Sequence, residues 1–408
     1  MQEENFVSQI REAGGRVFVV GGWVRDTLRQ AVPKDKDYVI CGLSAERFAQ
    51  LFPEKQIVGQ AFPVYLLSID GTACEVALAR KERKSGTGYR GFQVDTSASI
   101  RIEEDLSRRD TTMNSIAFEL PQQRIIDPFH GQEDIRSGTI RAISAHFTDD
   151  PVRALRAARQ SAEFSFRITD ETLHYMNACR DELLLEPTER IFSELERALR
   201  SPRPSIFFRS LQAAALLMDV FPELHALIGK TQPAAFHPEG DAFEHTMHIV
   251  DAVAAVNFHT PARFAALAHD LGKGTTPLAM LPHHYDHEQR GLVELEKWNQ
   301  RCPLPKRWLQ LASFIIREHM RAPRLSKSSK IVQLLLAIGQ LPFPPEDILD
   351  ILAADHGSLP DYLANYRVYQ QLFQTISGHD APSELKGAAI GQWIYQQRLK
   401  AYQRAQKA

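Results

Sequence analysis

Residues 20–40 read VGGWVRDTLRQAVPKDKDYVI: a glycine pair, an Arg-Asp step and two aspartates two apart, set between short apolar runs. RVFVV (16–20) predicts a strand, GGWVRDTLRQ a turn entering a helix, and KDYVI (36–40) a second strand. If KDKDYVI is strand throughout, Asp35 and Asp37 sit at i and i+2 and project from one face. Two carboxylates side by side repel unless a cation neutralises them, and hard oxygen ligands favour Mg²⁺, which keeps water or substrate phosphate in its other positions. Gly21-Gly22 lets backbone come close to a ligand, and the helix start that follows suits a phosphate. Glu75 alternates with apolar residues in TACEVALA and is placed to join the aspartates from a neighbouring strand. The three carboxylates would form a two-metal site for in-line attack on a nucleoside triphosphate. An isolated DxD is more often a solvated turn, so the surrounding sequence decides.

Outward from this stretch, PVYLLSI and TACEVALA predict a hairpin closed at Asp70-Gly71, and the first 140 residues read as a small mixed sheet with helices. From about residue 141 the pattern turns helical, as in DDPVRALRAARQSAEF (149–164) and PTERIFSELERALR (187–200). SPRPS (201–205) and LPFPPED (341–347) mark joints. The expected fold is α+β: a head with a small mixed sheet at 1–140, a helical neck at 141–205, a histidine-rich helical domain at 206–340 and a helical tail region at 341–408. Nine of the fifteen histidines lie between His225 and His287.

The 408 residues carry a formal charge of −2, so basic groups that meet nucleic acid must be concentrated locally. Four scattered cysteines argue against a disulfide framework or a zinc ribbon. The charged N-terminal stretch lacks the apolar core of a signal peptide, and no apolar run approaches the roughly 18–20 residues of a membrane span. These features predict a soluble cytoplasmic protein with no membrane partner, monomeric or homodimeric.

In order along the chain, GGWVRDTL with DKD, ARKERKSGTGYRGF (79–92), EEDLSRRDTTMNSIA (103–117) and IIDPFHGQEDI (125–135) resemble the nucleotidyltransferase head of bacterial CCA-adding enzymes. That family, within the poly(A) polymerase/CCA-adding superfamily, adds C, C and A to the 3′ end of tRNA from CTP and ATP without a nucleic acid template. The resemblance implies that Gly22 and Arg25 contact the triphosphate, Asp35 and Asp37 hold Mg²⁺, and Arg109 and Asp110 contact sugar and phosphates. Thr111 stands where the family has phenylalanine, and Arg29-Gln30 replaces a glycine before DxD.

In DDPVRALRAAR, Asp150 only accepts hydrogen bonds and Arg153 only donates. An acceptor beside a donor matches the edges of cytosine and adenine, whereas guanine and uracil put a carbonyl where the amino group should be. A capped helix with solvent-facing arginines is the plainer alternative. The family's templating motif E-D-x-x-R is matched here with Asp149 in place of its glutamate, and the resemblance makes Arg156 a further triphosphate contact.

HPEGDAFEHTMHIVD (237–251), FAALAHDLGKG (264–274), LPHHYDHEQRG (281–291) and LAADHGS (352–358) resemble the HD phosphohydrolase pattern, with His245, His269, Asp270, His284, His287 and Asp355 as its ligands. Mixed imidazole and carboxylate sets accept Ni²⁺, Mn²⁺, Co²⁺ or Zn²⁺. The resemblance implies hydrolysis of 2′,3′-cyclic phosphates, 2′-nucleotides or other phosphomonoesters beside CCA addition. A poly(A) polymerase, or an HD hydrolase whose head only binds nucleotide, are the alternatives. The tail from Lys386 carries five basic residues and no acid, with Ile390, Trp393, Ile394 and Leu399 as an apolar stripe; it is expected to dock on its own domain and turn Arg398, Lys400, Arg404 and Lys407 towards RNA.

Overall fold

The computed structural model describes residues 1–58, 63–84, 86, 91–233 and 238–406. Part of the 79–92 loop and Lys407 therefore lie outside the described residues. The chain divides into two compact units, Met1–Ala198 with Ile206–Val220, and Leu199–Ser205 with Phe221–Ala408. The fold is α+β, with the mixed sheet in the first unit and helices dominating the second.

The strands of the first unit include β1 (Arg16–Val20), β2 (Asp37–Cys41), β3 (Gln56–Val58), β4 (Val64–Ile69), β5 (Thr72–Leu78), β6 (Lys81–Lys84), β7 (Phe92–Asp95), β8 (Ala117–Leu120) and β9 (Arg124–Ile126). Seven of them form one sheet in the order β3-β4-β5-β2-β1-β8-β9, and β6 and β7 pair as a separate ribbon. β1 and β2 are apolar almost end to end because both faces of the sheet's centre are covered. Phe18, Val20 and Val39 pack with Ile102 and Leu106 on one side. The β4–β5 hairpin turns at Asp70-Gly71, where both residues take positive φ (50° and 77°), the backbone that a two-residue hairpin turn demands.

β1 runs antiparallel to β2 with Val20 opposite Asp37, and β2 runs parallel to β5 with Tyr38 opposite Val76. One residue earlier in that register, Asp37 lies beside Glu75. The β2 strand begins only at Asp37, so Asp35 stands in the preceding loop and the predicted i, i+2 geometry does not apply. Lys34, with proline before it, never enters the ladder.

Within the same unit, the helix Arg153–Phe164 is buried nearly all round, alanines included. It starts after a turn at Pro151 and Val152 rather than at Pro151 itself. In the second unit the helix Thr260–Ala268 packs against Ala242–Val256, Lys306–Glu318 and Glu346–His356. Phe264 meets Trp298 edge-on at 5.5 Å and Trp308 at 5.0 Å, which fixes the inner end of the bundle. The tail helix Ala388–Ala405 docks on Ser328–Gln340 and Tyr366–Gln374 as expected. Arg398 departs from expectation: its Nε and Nη2 donate to the carbonyls of Phe373 and Ile376, each at 3.1 Å, so it ties the tail down instead of facing outward. No helix among the described residues is long and apolar enough to cross a membrane.

Gly272 lies where the turn Leu271–Thr275 crosses the helix His287–Arg301. A Cβ there would come within 1.9 Å of the His287 carbonyl oxygen and 2.5 Å of the Gly291 nitrogen. Gly272→Ala is therefore expected to destabilise the second unit by about 3 kcal/mol. Calorimetry of the full chain should show one transition lowered and the other unmoved.

Candidate nucleotide and metal sites

The tight turn after β1 brings the first site together. Gly21 takes φ 69°, and a Cβ on it would stand 3.5 Å from Arg109 Nη1 and 3.9 Å from Asp37 Oδ2, so the glycine lets the chain pass over both groups. Gly22, Arg25, Asp35, Asp37, Glu75, Arg109, Asp110, Asp150, Arg153 and Arg156 all line one cavity of about 1130 Å³. That exceeds the roughly 300–1,000 Å³ of a single small-molecule pocket. Burial, the neighbouring Glu75 and then Asp35 push the Asp37 carboxyl up to about 6, against the opposing pull of Arg109. Three carboxylates held this close in a partly buried wall suit a hard divalent ion.

Around these carboxylates the arginines are held in place. Arg25 forks onto Asp26 at 2.9 Å, donates to Asn114 Oδ1 at 2.9 Å and lies over the Phe164 ring. Arg109 reaches Asp105 at 3.2 Å, and its buried Nε makes no hydrogen bond among the described residues. Asp110 is buried and accepts from Asn114, Gln160, Arg156 and the Thr111 amide. Burial alone would raise its pKa, but Arg156, 2.8 Å away, and these hydrogen bonds hold it well below the usual carboxylate range. Asp110 thus braces Arg156 within the cavity wall.

Asp150 and Arg153 also line the cavity, and neither is free. Both Asp150 oxygens accept from Arg190 Nη2, at 2.9 and 3.0 Å. Arg153 is buried and donates to the carbonyls of His146 (2.7 Å) and Arg108 (2.6 Å). Arg190 has no mark in the sequence; forty residues separate it from Asp150 and only the packed helices bring them together.

In the second unit, the buried helix Thr260–Ala268 ends at His269-Asp270. His245, His269 and Asp270 form one potential metal-binding group; Asp270, His287 and His319 form another. Asp270 Oδ2 lies 3.1 Å from His269 Nε2, while Oδ1 lies 3.4 Å from the Nε2 atoms of both His287 and His319. Asp355 Oδ1 is 3.0 Å from His245 Nε2.

The ring Nδ1 atoms identify the tautomers. Those of His269, His287 and His319 face the carbonyls of Ala266 (2.7 Å), His284 (2.7 Å) and Ile316 (3.1 Å), and so must carry the proton. Their Nε2 lone pairs then point into the centre, with those of His287 and His319 only 3.2 Å apart. Two acceptors facing each other need a cation between or beside them. Neither Asp270 oxygen accepts a well-directed hydrogen bond, although Lys273 Nζ is 2.6 Å from Oδ2. Burial opposes ionisation of Asp270, but the Lys273 ammonium above all outweighs it and keeps the carboxyl well below its usual range. Four imidazoles and two carboxylates fit divalent transition metals.

His284 does not join this centre. Its Nδ1 meets the Thr276 hydroxyl at 2.8 Å and its Nε2 the Thr231 carbonyl at 3.0 Å, and burial lowers its pKa to about 4. His319 takes the place expected of it. The helix starts only at His287, so the i, i+3 spacing of His284 and His287 does not put them on one helical face. The signal for His319 was a histidine closing an amphipathic helix, KRWLQLASFIIREH, on its buried side.

Residues 17–141 match the family described as the Poly A polymerase head domain, 165–228 the probable RNA and SrmB-binding site of polymerase A, and 242–362 the HD domain. The multifunctional CCA protein of Nitrosococcus oceani is 39% identical over 95% of this chain and 98% of its own length. This chain belongs to the multifunctional CCA protein family. The family member from Methylobacillus flagellatus is 36% identical, over 96% of this chain and 97% of its own. Among solved structures, the CCA-adding enzyme of Bacillus stearothermophilus in complex with CTP shares the fold, with a TM-score of 0.66 at 22% identity over 98% of this chain and 90% of that one. The Thermotoga maritima CCA-adding enzyme complexed with tRNA also shares it, with a TM-score of 0.61 at 21% identity over 97% and 89%.

Two predictions follow the geometry of each centre. The folded pKa of Asp37 exceeds the unfolded value, so its contribution is stabilising at low pH and is lost as pH rises from about 4 to about 6. Asp37→Asn should thus stabilise the metal-free first unit at pH 7 by about 1–2 kcal/mol after solvent screening, an advantage that shrinks towards pH 4 in melting curves with chelator. His319→Ala should lower bound transition metal, measured by elemental analysis after dialysis, whereas His284→Ala should leave metal content unchanged.

Proposed function

We propose that this chain adds C, C and A to the 3′ end of tRNA from CTP and ATP, and hydrolyses phosphate esters at its histidine–aspartate centre, maturing and repairing tRNA ends in the cytoplasm. The observation that carries the first activity is the single cavity lined by all ten candidate residues, with Asp37 and Glu75 adjacent in register. When bound, Mg²⁺ supplies charge neutralisation for the triphosphate and the attacking 3′-hydroxyl. Asp35, Asp37 and Glu75 are the residues to hold it, while Arg25, Arg109 and Arg156 orient the phosphates and sugar.

Base selection rests on Asp150 and Arg153. A carboxylate offers about four lone pairs, so an Asp150 braced by Arg190 still accepts from the amino group of cytosine or adenine. Arg153, fixed by two carbonyls, retains donors for the adjacent ring nitrogen. Guanine and uracil would set a carbonyl against the carboxylate, leaving both unpaired at a cost of about 1–3 kcal/mol.

For the second activity, a divalent transition metal such as Ni²⁺ supplies Lewis acidity towards a phosphate oxygen. His245, His269, Asp270 and Asp355 are placed to hold one ion, and His287, His319 and the shared Asp270 a second. Lys273 fixes the orientation of Asp270. Functionally we assign 1–140 to nucleotidyl transfer, 141–205 to base selection and the rest to the hydrolase, extended past residue 340 to include Asp355.

The test uses the full chain with tRNA lacking its 3′ end, labelled CTP and ATP, and sequencing of the product. CCA is expected; homopolymeric A would identify a poly(A) polymerase. Asp35→Ala or Asp37→Ala should abolish addition while hydrolysis of 2′,3′-cyclic AMP stays within about twofold. Parallel loss of both activities in a folded variant would sink the assignment of two independent centres.

A further inference from the structure

Gln232 lines the cavity of about 570 Å³ over the second centre, together with Lys273, His245, His287, His319 and Asp355. It is only 5% exposed, and its side-chain Nε2 is sealed from solvent with no hydrogen-bond partner among the described residues. Its Oε1, by contrast, accepts from Lys273 Nζ at 2.5 Å, and the same ammonium lies 2.6 Å from Asp270 Oδ2. An ammonium only donates, so it fixes which end of the amide is oxygen; a flipped amide would set N–H against N–H. The unmet acceptors at this centre, the Asp270 oxygens and Asp355 Oδ2, call for a cation. Gln232 Nε2 is an unmet donor and calls for an oxygen.

The backbone that carries the amide is fixed in advance. The Gln232 N–H donates to the Gly240 carbonyl at 3.0 Å, and Thr231 bridges Asp241 beside it. Lys230 Nζ reaches the Thr276 carbonyl at 2.8 Å, just past the Leu271–Thr275 turn, and His284 Nε2 meets the Thr231 carbonyl at 3.0 Å. A buried donor left unmet costs its desolvation, and an amide locked at its oxygen end cannot turn to find a partner. The missing acceptor therefore comes with a ligand that enters by the cavity. An amide N–H beside a lysine ammonium, in the wall over a set of metal-ligating groups, matches an anionic oxygen.

We propose that Gln232 Nε2 binds a non-bridging oxygen of a phosphate group seated over the histidines and aspartates, with Lys273 orienting the amide. The inference rests on the phosphohydrolase reading for the identity of the phosphate ester, and adds a residue that recognises it. A neutral amide gives direction without adding charge, so Gln232 governs affinity for the phosphate and leaves the ligation of metal alone.

The experiment titrates inorganic phosphate into the full chain loaded with Ni²⁺, by calorimetry, for the wild type, Gln232→Met and Gln232→Glu. Methionine, similar in shape but without either polar end, should weaken phosphate binding about tenfold and raise KM for 2′,3′-cyclic AMP to a similar degree. Glutamate keeps the acceptor for Lys273 but replaces the donor with a charge that repels phosphate, so it should weaken binding further. Metal content should stay at the wild-type level in both. Phosphate affinity within twofold of wild type in a folded, metal-loaded Gln232→Met would overturn the proposal and leave the amide a structural group. Loss of metal in proportion to loss of phosphate would overturn it too, as would a metal-loaded wild type that binds no phosphate. A wild type whose phosphate binding depends on Gln232 but which hydrolyses no ester would remove the hydrolase reading alone, because the titration needs no turnover.

Discussion

In both units the decisive constraint is the same: the fold holds electron-rich atoms closer together than they would stay in water. Asp37 is partly buried among Glu75 and Asp35, which together hold its carboxyl above the usual carboxylate range. The Nε2 lone pairs of His287 and His319 face each other at 3.2 Å. Such arrangements persist only where rigid elements impose them, and the energy they hold is released when a cation arrives. The central strands β1 and β2 serve this end in the first unit, and the buried helix Thr260–Ala268 in the second.

The arginines of the first cavity show how the remaining charge is managed. Arg156 is braced by Asp110, Arg25 by Asp26 and Asn114, and Arg153 by two main-chain carbonyls. Pre-positioned cations lose little freedom when a triphosphate binds, so more of each contact is available as affinity and orientation. The same bracing explains why residues that read as ligand contacts in sequence turn out to have protein partners: a side chain held on one edge can still present the other.

Much of this was legible in the sequence, and the failures have physical causes. RVFVV, KDYVI and the Asp70-Gly71 hairpin follow from apolar runs and turn chemistry that are local. Asp35 was misplaced because the ladder begins two residues later than a periodic reading suggests, after a proline-containing loop. His284 was taken from the HD pattern, but its ring nitrogens meet Thr276 and Thr231, because ring direction depends on where the helix starts, which a pattern does not show. Arg190 could not have been found, since its importance comes from a contact across 40 residues.

The anchoring of the histidines carries a consequence for how this centre can change over evolutionary time. Three of the four rings are oriented by main-chain carbonyls, which no point substitution can delete. His245 alone leans on a side chain, the carboxylate of Glu239. A carboxylate partner makes the imidazole a stronger electron donor than a carbonyl does. One half of the centre is therefore locked by the backbone, while the other is adjustable by a single codon, and the preference for one metal over another can drift there without disturbing the fold.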